Sequence, residues 1–340
     1  MSERSRAVWK VLKPLQDETG NIRWDHFMQA ALYDAELGYY TKNINAVGPR
    51  GDFSTLATLN NTLGKTIAQW GNREQKQHAK HLPWIEFGPG GGNLAVEILH
   101  HIPLLRRYLT PRGLVEVSSS LRQIQQRKLR WQRCCWFSSP TEAIAAHPQG
   151  SLLYSNELID AFPCRIFRRS DSGWEELFLK ITEAGIGECF LSVAEKHLPE
   201  SSVFESEISK NWQIGQRVEV HESFKIWLQN FLPKWRGSML TIDYGGEPKK
   251  IYHRRLRGTL RAYWKQQRFT GSDCYMRFGL QDLTADVNFQ DINTWMSQFG
   301  AELIWQGSLQ KFINQFGKDL TTPSEVQEAT EAFHVIWHRR

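Results

Sequence analysis

The chain has 340 residues, long for one minimal α/β domain and short for two full ones, so one core domain with added segments is expected. Its 41% apolar content, with 14 Trp and 18 Phe, supplies a substantial core, and no apolar run is long enough to span a membrane. The net charge of +6 leaves room for an acidic partner; five cysteines without a C-x-x-C pair and 11 histidines without an H-E-x-x-H motif argue against a structural metal and suit reduced thiols in a cytoplasmic setting.

The first six residues include Glu3 and no apolar h-region, which reads against a secretory or transit segment. Residues 24–37 read as a helix with Phe27, Ala31 and Leu32 on its apolar face and Gly38 as C-cap. A loop rich in Gly, Pro and Asn follows through Gly48-Pro49-Arg50-Gly51-Asp52, and a second helix is expected over 62–73. Residues 83–87 form a short buried strand, a glycine-rich turn follows, and 94–101 are helical. Pro111-Arg112-Gly113 breaks the chain before a strand over 114–117, and Ser118-Ser119-Ser120 can cap a helix over 121–130. Further strands are expected near 135–137 and over 151–154. Strand, turn, helix and strand in repetition predict a doubly wound, mostly parallel α/β sheet. Residues 165–214 alternate short apolar pieces with glycine turns, the pattern of inserted antiparallel hairpins. A helix over 223–232 and strands over 238–243 and 301–306 return to the α/β framework. The domain reading is an N-terminal helical segment 1–80, a first core part 81–164, an antiparallel insertion 165–222 and a second core part 223–340 that includes a basic lid segment 247–290.

The turn Glu86-Phe87-Gly88-Pro89-Gly90-Gly91-Gly92 carries the most chemistry. Gly88, Gly90 and Gly92 let the backbone approach a ligand and leave amide donors at a helix N-terminus. Glycines alone also allow a dinucleotide, whose fingerprint is G-x-G-x-x-G; here the spacing is G-x-G-x-G. Glu86 can receive an ammonium but would repel a pyrophosphate, and Glu116, at the end of the second strand, can accept both hydroxyls of a ribose. A sulfonium ligand with an ammonium, a carboxylate and a ribose, S-adenosylmethionine, satisfies these groups together. A tight strand–helix connection without ligand is the plain alternative.

After the fourth strand comes Ser155-Asn156-Glu157-Leu158-Ile159-Asp160-Ala161-Phe162-Pro163, where ligands of open α/β sheets bind. Glu157 and Asp160 are candidates to grip a guanidinium acceptor in a bidentate way, and Asn156 to reach the cofactor. Their structural alternatives are a helix cap and an ordinary ion pair. Asp243 is a weaker candidate at the same rim, and Asp52 sits in a loop able to fold over the pocket. Residues 249–268 carry eight Lys and Arg interleaved with Tyr252, Tyr263 and Trp264, which reads as a solvated face or as a nucleic-acid grip.

These residues resemble the MidA-type proteins, class I methyltransferases that include a mitochondrial arginine methyltransferase of complex I assembly. The resemblance lies in Phe27-Met28 through Leu37-Gly38-Tyr39-Tyr40, Gly51-Asp52-Phe53-Ser54-Thr55, the Glu86 turn, Val115-Glu116-Val117-Ser118 with Leu121-Arg122 and Gln125, and the Asn156 to Pro163 loop. It continues in Ile242-Asp243-Tyr244-Gly245, Gly258-Thr259-Leu260-Arg261-Ala262-Tyr263, and the run from Asp282 to Phe289. It implies a Rossmann-like, mostly parallel seven-stranded sheet with one antiparallel edge strand, and S-adenosylmethionine as cofactor. In the mitochondrial branch it implies a protein arginine on a respiratory-complex subunit as acceptor. Three places differ from the family. Ala57 and Thr58 stand where a proline and a glutamate are usual, Trp264-Lys265-Gln266-Gln267 where a histidine follows the tyrosine, and Asp286 where another histidine stands. The rival readings are a non-catalytic, cofactor-binding assembly factor and an RNA methyltransferase that uses the basic stretch.

Overall fold

A computed structural model describes residues 2–43, 62–78, 81–104, 107, 110–182, 185–317 and 330–340. The chain divides into two compact units. One comprises Asn45–Leu158, Trp227–Gly245 and Ile292–Arg340; the other comprises Met1–Ile44, Ile159–Ile226 and Gly246–Asp291.

The first unit is built on a sheet whose strands lie in the order Glu302–Ser308, Phe333–Arg339, Gly237–Gly246, Ser151–Asn156, Trp84–Phe87, Arg112–Val115 and Cys134–Phe137. The last five run parallel. Trp84–Phe87 is buried along its whole length, as a strand covered on both faces must be, so its apolar residues Trp84, Ile85 and Phe87 do not alternate with exposed ones and Glu86 is buried among them. The helices Thr62–Gln75, Asn93–His100 and Leu309–Phe316 supply Leu63, Ile67, Trp70, Leu94, Ile98, Phe312 and Phe316 to one core layer with Leu152, Leu240 and Val335 of the sheet. Elsewhere Phe87 meets Trp227 and Phe231 edge-on at 5.1 and 5.5 Å between ring centroids. Glu74 is sealed into this unit, where it accepts from Ser238 Oγ at 2.6 Å and pairs with Arg339 at 2.9 Å.

The sheet corrects one expectation. The antiparallel strand, Phe333–Arg339, is not at the edge but lies between Gly237–Gly246 and Glu302–Ser308, antiparallel to both. Its sequence, Phe-His-Val-Ile-Trp-His-Arg, lacks alternation because almost every position is buried, so no strand was expected there.

In the second unit, a five-stranded antiparallel sheet joins Asn21–Arg23, Gly173–Thr182, Arg165–Ser170 and Arg217–Val220 in that order, with Gly185–Val193 also paired to Gly173–Thr182. The hairpins expected over 165–214 are these strands. A smaller sheet places Arg261–Trp264 between Gln267–Phe269 and Asp282–Thr284. The first part of the expected N-terminal segment, the insertion and the basic segment thus share one unit, whereas the helix Thr62–Gln75 of the segment expected over 1–80 belongs to the other. The helix expected over 24–37 stops earlier, at Trp24–Tyr33, because Asp34 Oδ1 accepts the N–H groups of Glu36 and Leu37 and turns the chain before Gly38 is reached.

Candidate functional site

Three parallel strands of the first unit end side by side, and each end carries a residue singled out by sequence. Register pairs Glu86 with Leu114 and with Tyr154, and Phe87 with Val115 and with Ser155. Gly88 N–H donates to Val115 O at 3.1 Å, so the glycine turn starts beside the strand end from which Glu116 projects. Gly88, Gly90 and Gly92 all have left-handed backbone, with φ of 62°, 49° and 74°. At Gly90 an added Cβ would meet nothing within 4 Å among the described residues, so none of them fills the space in front of the turn. The helix Asn93–His100 begins there without a side-chain cap, which leaves first-turn amides for an anionic group.

Glu86 is 3% exposed, and Tyr154 Oη donates to its Oε2 at 3.2 Å. Burial is the main reason its carboxyl is pushed up to about 8; Glu116 and Glu97 push the same way, while the Tyr154 hydroxyl opposes them. A carboxyl in this state is stabilised by any cation that reaches it. Glu116 is also buried and its pKa also raised, chiefly by desolvation, against the hydrogen bonds that its side chain accepts. Its Oε1 accepts from Ser118 N–H at 2.8 Å and its Oε2 from Gln125 Nε2 at 3.0 Å, which leaves lone pairs on both oxygens for a diol. Next to it Val117 is 66% exposed, an apolar shelf for a flat ring.

Ser155 Oγ and Asn156 Oδ1 are buried and have no hydrogen-bond partner among the described residues. Asn156 Nδ2 donates to Glu157 Oε1 at 3.1 Å. Glu157 has φ of 51°, a left-handed conformation that costs a residue with a Cβ roughly 1–2 kcal/mol; its N–H is held by Ile242 O at 3.0 Å. Asp243 is buried, and its Oδ2 accepts from Leu158 N–H at 3.0 Å, which fixes the loop after Glu157.

The remaining candidates fall elsewhere. Asp160 is buried in the second unit, where its backbone oxygen accepts from Ala285 N–H at 3.0 Å. Asp286 of the same unit is buried and pairs with both Arg255 and Arg261. Gln266 is exposed in a hairpin turn, where it and Lys265 have φ of 64° and 50°. Asp52, Ala57 and Thr58 lie outside the described residues.

The model of a family of S-adenosyl-L-methionine-dependent methyltransferases matches residues 62–307, more than half of the chain. The chain belongs to this family. The methyltransferase is 27% identical over 348 residues to "Protein arginine methyltransferase NDUFAF7, mitochondrial" of Danio rerio, covering 94% of this chain and 78% of that protein. To the Caenorhabditis elegans homologue it is 25% identical over 325 residues, covering 86% of this chain and 72% of that one. Among solved structures, a COG1565 superfamily member from Burkholderia thailandensis, bound to S-adenosyl-homocysteine, matches with a TM-score of 0.84 at 24% identity, over 99% of this chain and 91% of that chain. That likeness shows the fold.

S-adenosylmethionine is therefore the cofactor of this methyltransferase, and the residues present fit it. Glu86 offers a buried carboxyl to an ammonium, the turn at Gly90 offers open space and amides, and Glu116 with Val117 offers acceptors and an apolar shelf to an adenosine. Ser155 and Asn156 add two unsatisfied oxygens. Two residues with structural weight had been given no role from sequence. Gln125, fully buried, donates to Gly90 O at 2.7 Å as well as to Glu116, and accepts from Trp136 Nε1 at 3.0 Å. Among the described residues, Tyr154 is the side chain that bonds Glu86. Register opposite Glu86 could have found Tyr154; the family resemblance includes Gln125 but assigns it no role.

Proposed function

We propose that this methyltransferase transfers a methyl group to an arginine side chain of a partner protein. The observation that carries the reading is Glu157: a carboxylate held on strained, left-handed backbone directly after Asn156, at the end of a strand beside the cofactor turn. The names of the relatives in zebrafish and nematode, both protein arginine methyltransferases, support the same acceptor. The cofactor supplies an electrophilic methyl group on a sulfonium. The chain must align a nucleophile with it and keep that nucleophile's lone pair directed at the carbon. A carboxylate that grips the far edge of a guanidinium draws positive charge toward itself and leaves the attacking nitrogen richer in electrons. It can also take up the proton that this nitrogen loses as the new N–C bond forms.

Asp160 and Asp52 are proposed as further acceptor-facing carboxylates. A respiratory-complex subunit is the partner class that the resemblance implies, and the five free cysteines fit a reducing compartment such as the cytoplasm. The test is transfer of labelled methyl from S-adenosylmethionine into proteins of a host lysate, followed by mass spectrometry of the modified side chain. Glu157→Gln should bind the cofactor as the parent does and lose transfer. Label found on lysine or on RNA, or full transfer by Glu157→Gln, would overturn the reading.

A further inference from the structure

Residues 249–268 form a basic segment that the cofactor site does not use, and it lies wholly within the second unit. Of its eight Lys and Arg, Arg255 and Arg261 pair with the buried Asp286. Lys249, Lys250, Arg254 and Arg257 are exposed and form no ion pair among the described residues. Over residues 247–272 Glu247 is the one acid, so the surface potential of this segment is positive.

The segment is held from beneath. Ile251 and Tyr252 are buried; Glu219 N–H donates to Tyr252 Oη at 2.9 Å, and Trp212 meets the Tyr252 ring edge-on at 5.5 Å between centroids. The Glu219 carboxylate accepts from Thr259 N–H at 2.8 Å and from Leu260 N–H at 3.3 Å, which fixes the chain just beyond Arg257. A second loop is tied to the first. Arg217 N–H donates to Leu256 O at 2.8 Å, and Gln216 Nε2 to Arg255 O at 2.9 Å. From these two loops two aliphatic side chains stand out into solvent. Leu256, between Arg255 and Arg257, is 45% exposed, and Ile214, two residues before Gln216, is 63% exposed.

The side chains among the cations select the partner. Aromatic residues of the segment do not offer open faces for stacking on bases. Tyr252 is buried, and the Trp264 ring carries Lys265 at 4.6 Å and Arg277 at 4.7 Å. What projects instead is aliphatic. RNA or an acidic peptide would answer the cations alone. A bilayer with anionic headgroups offers phosphates to Lys and Arg and, just beneath them, an apolar boundary to Leu and Ile. Neither a few cations nor two aliphatic side chains hold a protein on a membrane singly; together they supply the two signals that peripheral attachment needs.

We propose that this pair of loops docks the methyltransferase on an anionic lipid surface. Leu256 and Ile214 enter the boundary between headgroups and acyl chains, and Lys249, Lys250, Arg254 and Arg257 rest on the lipid phosphates. The attachment is peripheral, since no helix among the described residues is long and apolar enough to cross a membrane. It goes beyond the methyl-transfer reading and does not depend on which side chain accepts the methyl group.

The experiment sediments the full chain with vesicles of phosphatidylcholine alone and of phosphatidylcholine mixed equally with phosphatidylglycerol. The parent should bind the mixed vesicles at least tenfold more tightly, and raising salt from about 0.05 M to about 0.5 M should weaken that binding tenfold or more. Lys249→Glu with Lys250→Glu should lower binding at least tenfold. Ile214→Ser with Leu256→Ser should lower it several-fold while keeping the same salt dependence. All four positions are exposed, so thermal unfolding and S-adenosylmethionine affinity should match the parent in both double variants. No binding to the mixed vesicles, or equal binding to both vesicle types, overturns the proposal. Unchanged binding by the Ile214→Ser, Leu256→Ser variant overturns it too, because the cations would then act without the aliphatic pair. Tighter binding to poly-L-glutamate or to single-stranded RNA than to the mixed vesicles, lost in the Lys249→Glu, Lys250→Glu variant, would give the face to an acidic chain or to RNA instead.

Discussion

Titrating S-adenosylmethionine into the protein at pH 7, in buffers of different ionisation enthalpy, should reveal proton release that comes from Glu86. With its carboxyl pushed up to about 8, Glu86 is about 90% protonated at pH 7 in the ligand-free protein. An ammonium placed against a carboxylate lowers its pKa by roughly 1–3 units, so the bound state would titrate at about 5–7 and release roughly 0.4–0.9 of a proton. The ligand's own amino group, with an ordinary pKa of about 7.7–8, takes up roughly 0.1–0.2 of a proton as it docks. Net release should be roughly 0.2–0.8 per ligand, as follows from these shifts. Calorimetry in phosphate and in Tris measures it directly, because the apparent enthalpy then changes by the number of protons times the buffer's ionisation enthalpy. At pH 9 Glu86 is about 90% ionised before the ligand arrives while the ligand's amino group, then mostly neutral, takes up roughly 0.9 of a proton on docking, so the net exchange should turn from release to uptake. Glu86→Gln should bind more weakly and release nothing. Equal release by parent and Glu86→Gln would show that the proton comes from elsewhere and that the burial argument at Glu86 is mistaken.

Other variants separate ligand contact from stability. Gly90→Ala places a methyl in open space at positive φ, so unfolding should shift by only about 1–2 kcal/mol while cofactor affinity falls tenfold or more; an unchanged affinity would remove Gly90 from the site. Glu157→Gly relieves left-handed strain of about 1–2 kcal/mol against an entropic cost of about 0.5–1 kcal/mol. That variant should be no less stable than the parent by urea denaturation, yet inactive in transfer; activity retained in it would count against Glu157. His221 is buried and its pKa is lowered to about 4, mainly by burial and against the pull of Asp286. A depressed folded pKa means that its contribution is present above about 6.5 and is lost as pH falls toward 4. Relative to the parent, His221→Gln should therefore gain about 2 kcal/mol between pH 7 and pH 5; a constant difference across that range would refute the assignment.

The cofactor half of the site was legible because its chemistry is local in sequence. Glycines at fixed spacing and one glutamate at each of two strand ends need no knowledge of tertiary contacts. What escaped depends on long-range pairing. Gln125 meets Gly90 from 35 residues away, and Tyr154 meets Glu86 from 68. The strand Phe333–Arg339 has neighbours on both edges and almost no exposed position, so its apolar run carries no period. The gathering of residues 1–44 with the hairpins and the basic segment rests in part on pairing Asn21–Arg23 with Phe178, Leu179 and Lys180, which no turn signal announces. Asp34 ended a helix that its apolar face would have continued, an instance of a short polar side chain competing for backbone amides.

Gln125 spans the two halves of the cofactor site with a single amide, one bond to the carbonyl of Gly90 and one to the carboxylate of Glu116. The groove for an adenosine and the groove for an amino acid are thereby parts of one stiff frame rather than two neighbouring pockets. A fragment that settles in either half steadies the other, so adenosine and methionine should each bind more tightly when the other is present. In Gln125→Leu that mutual help should disappear even where both fragments still bind.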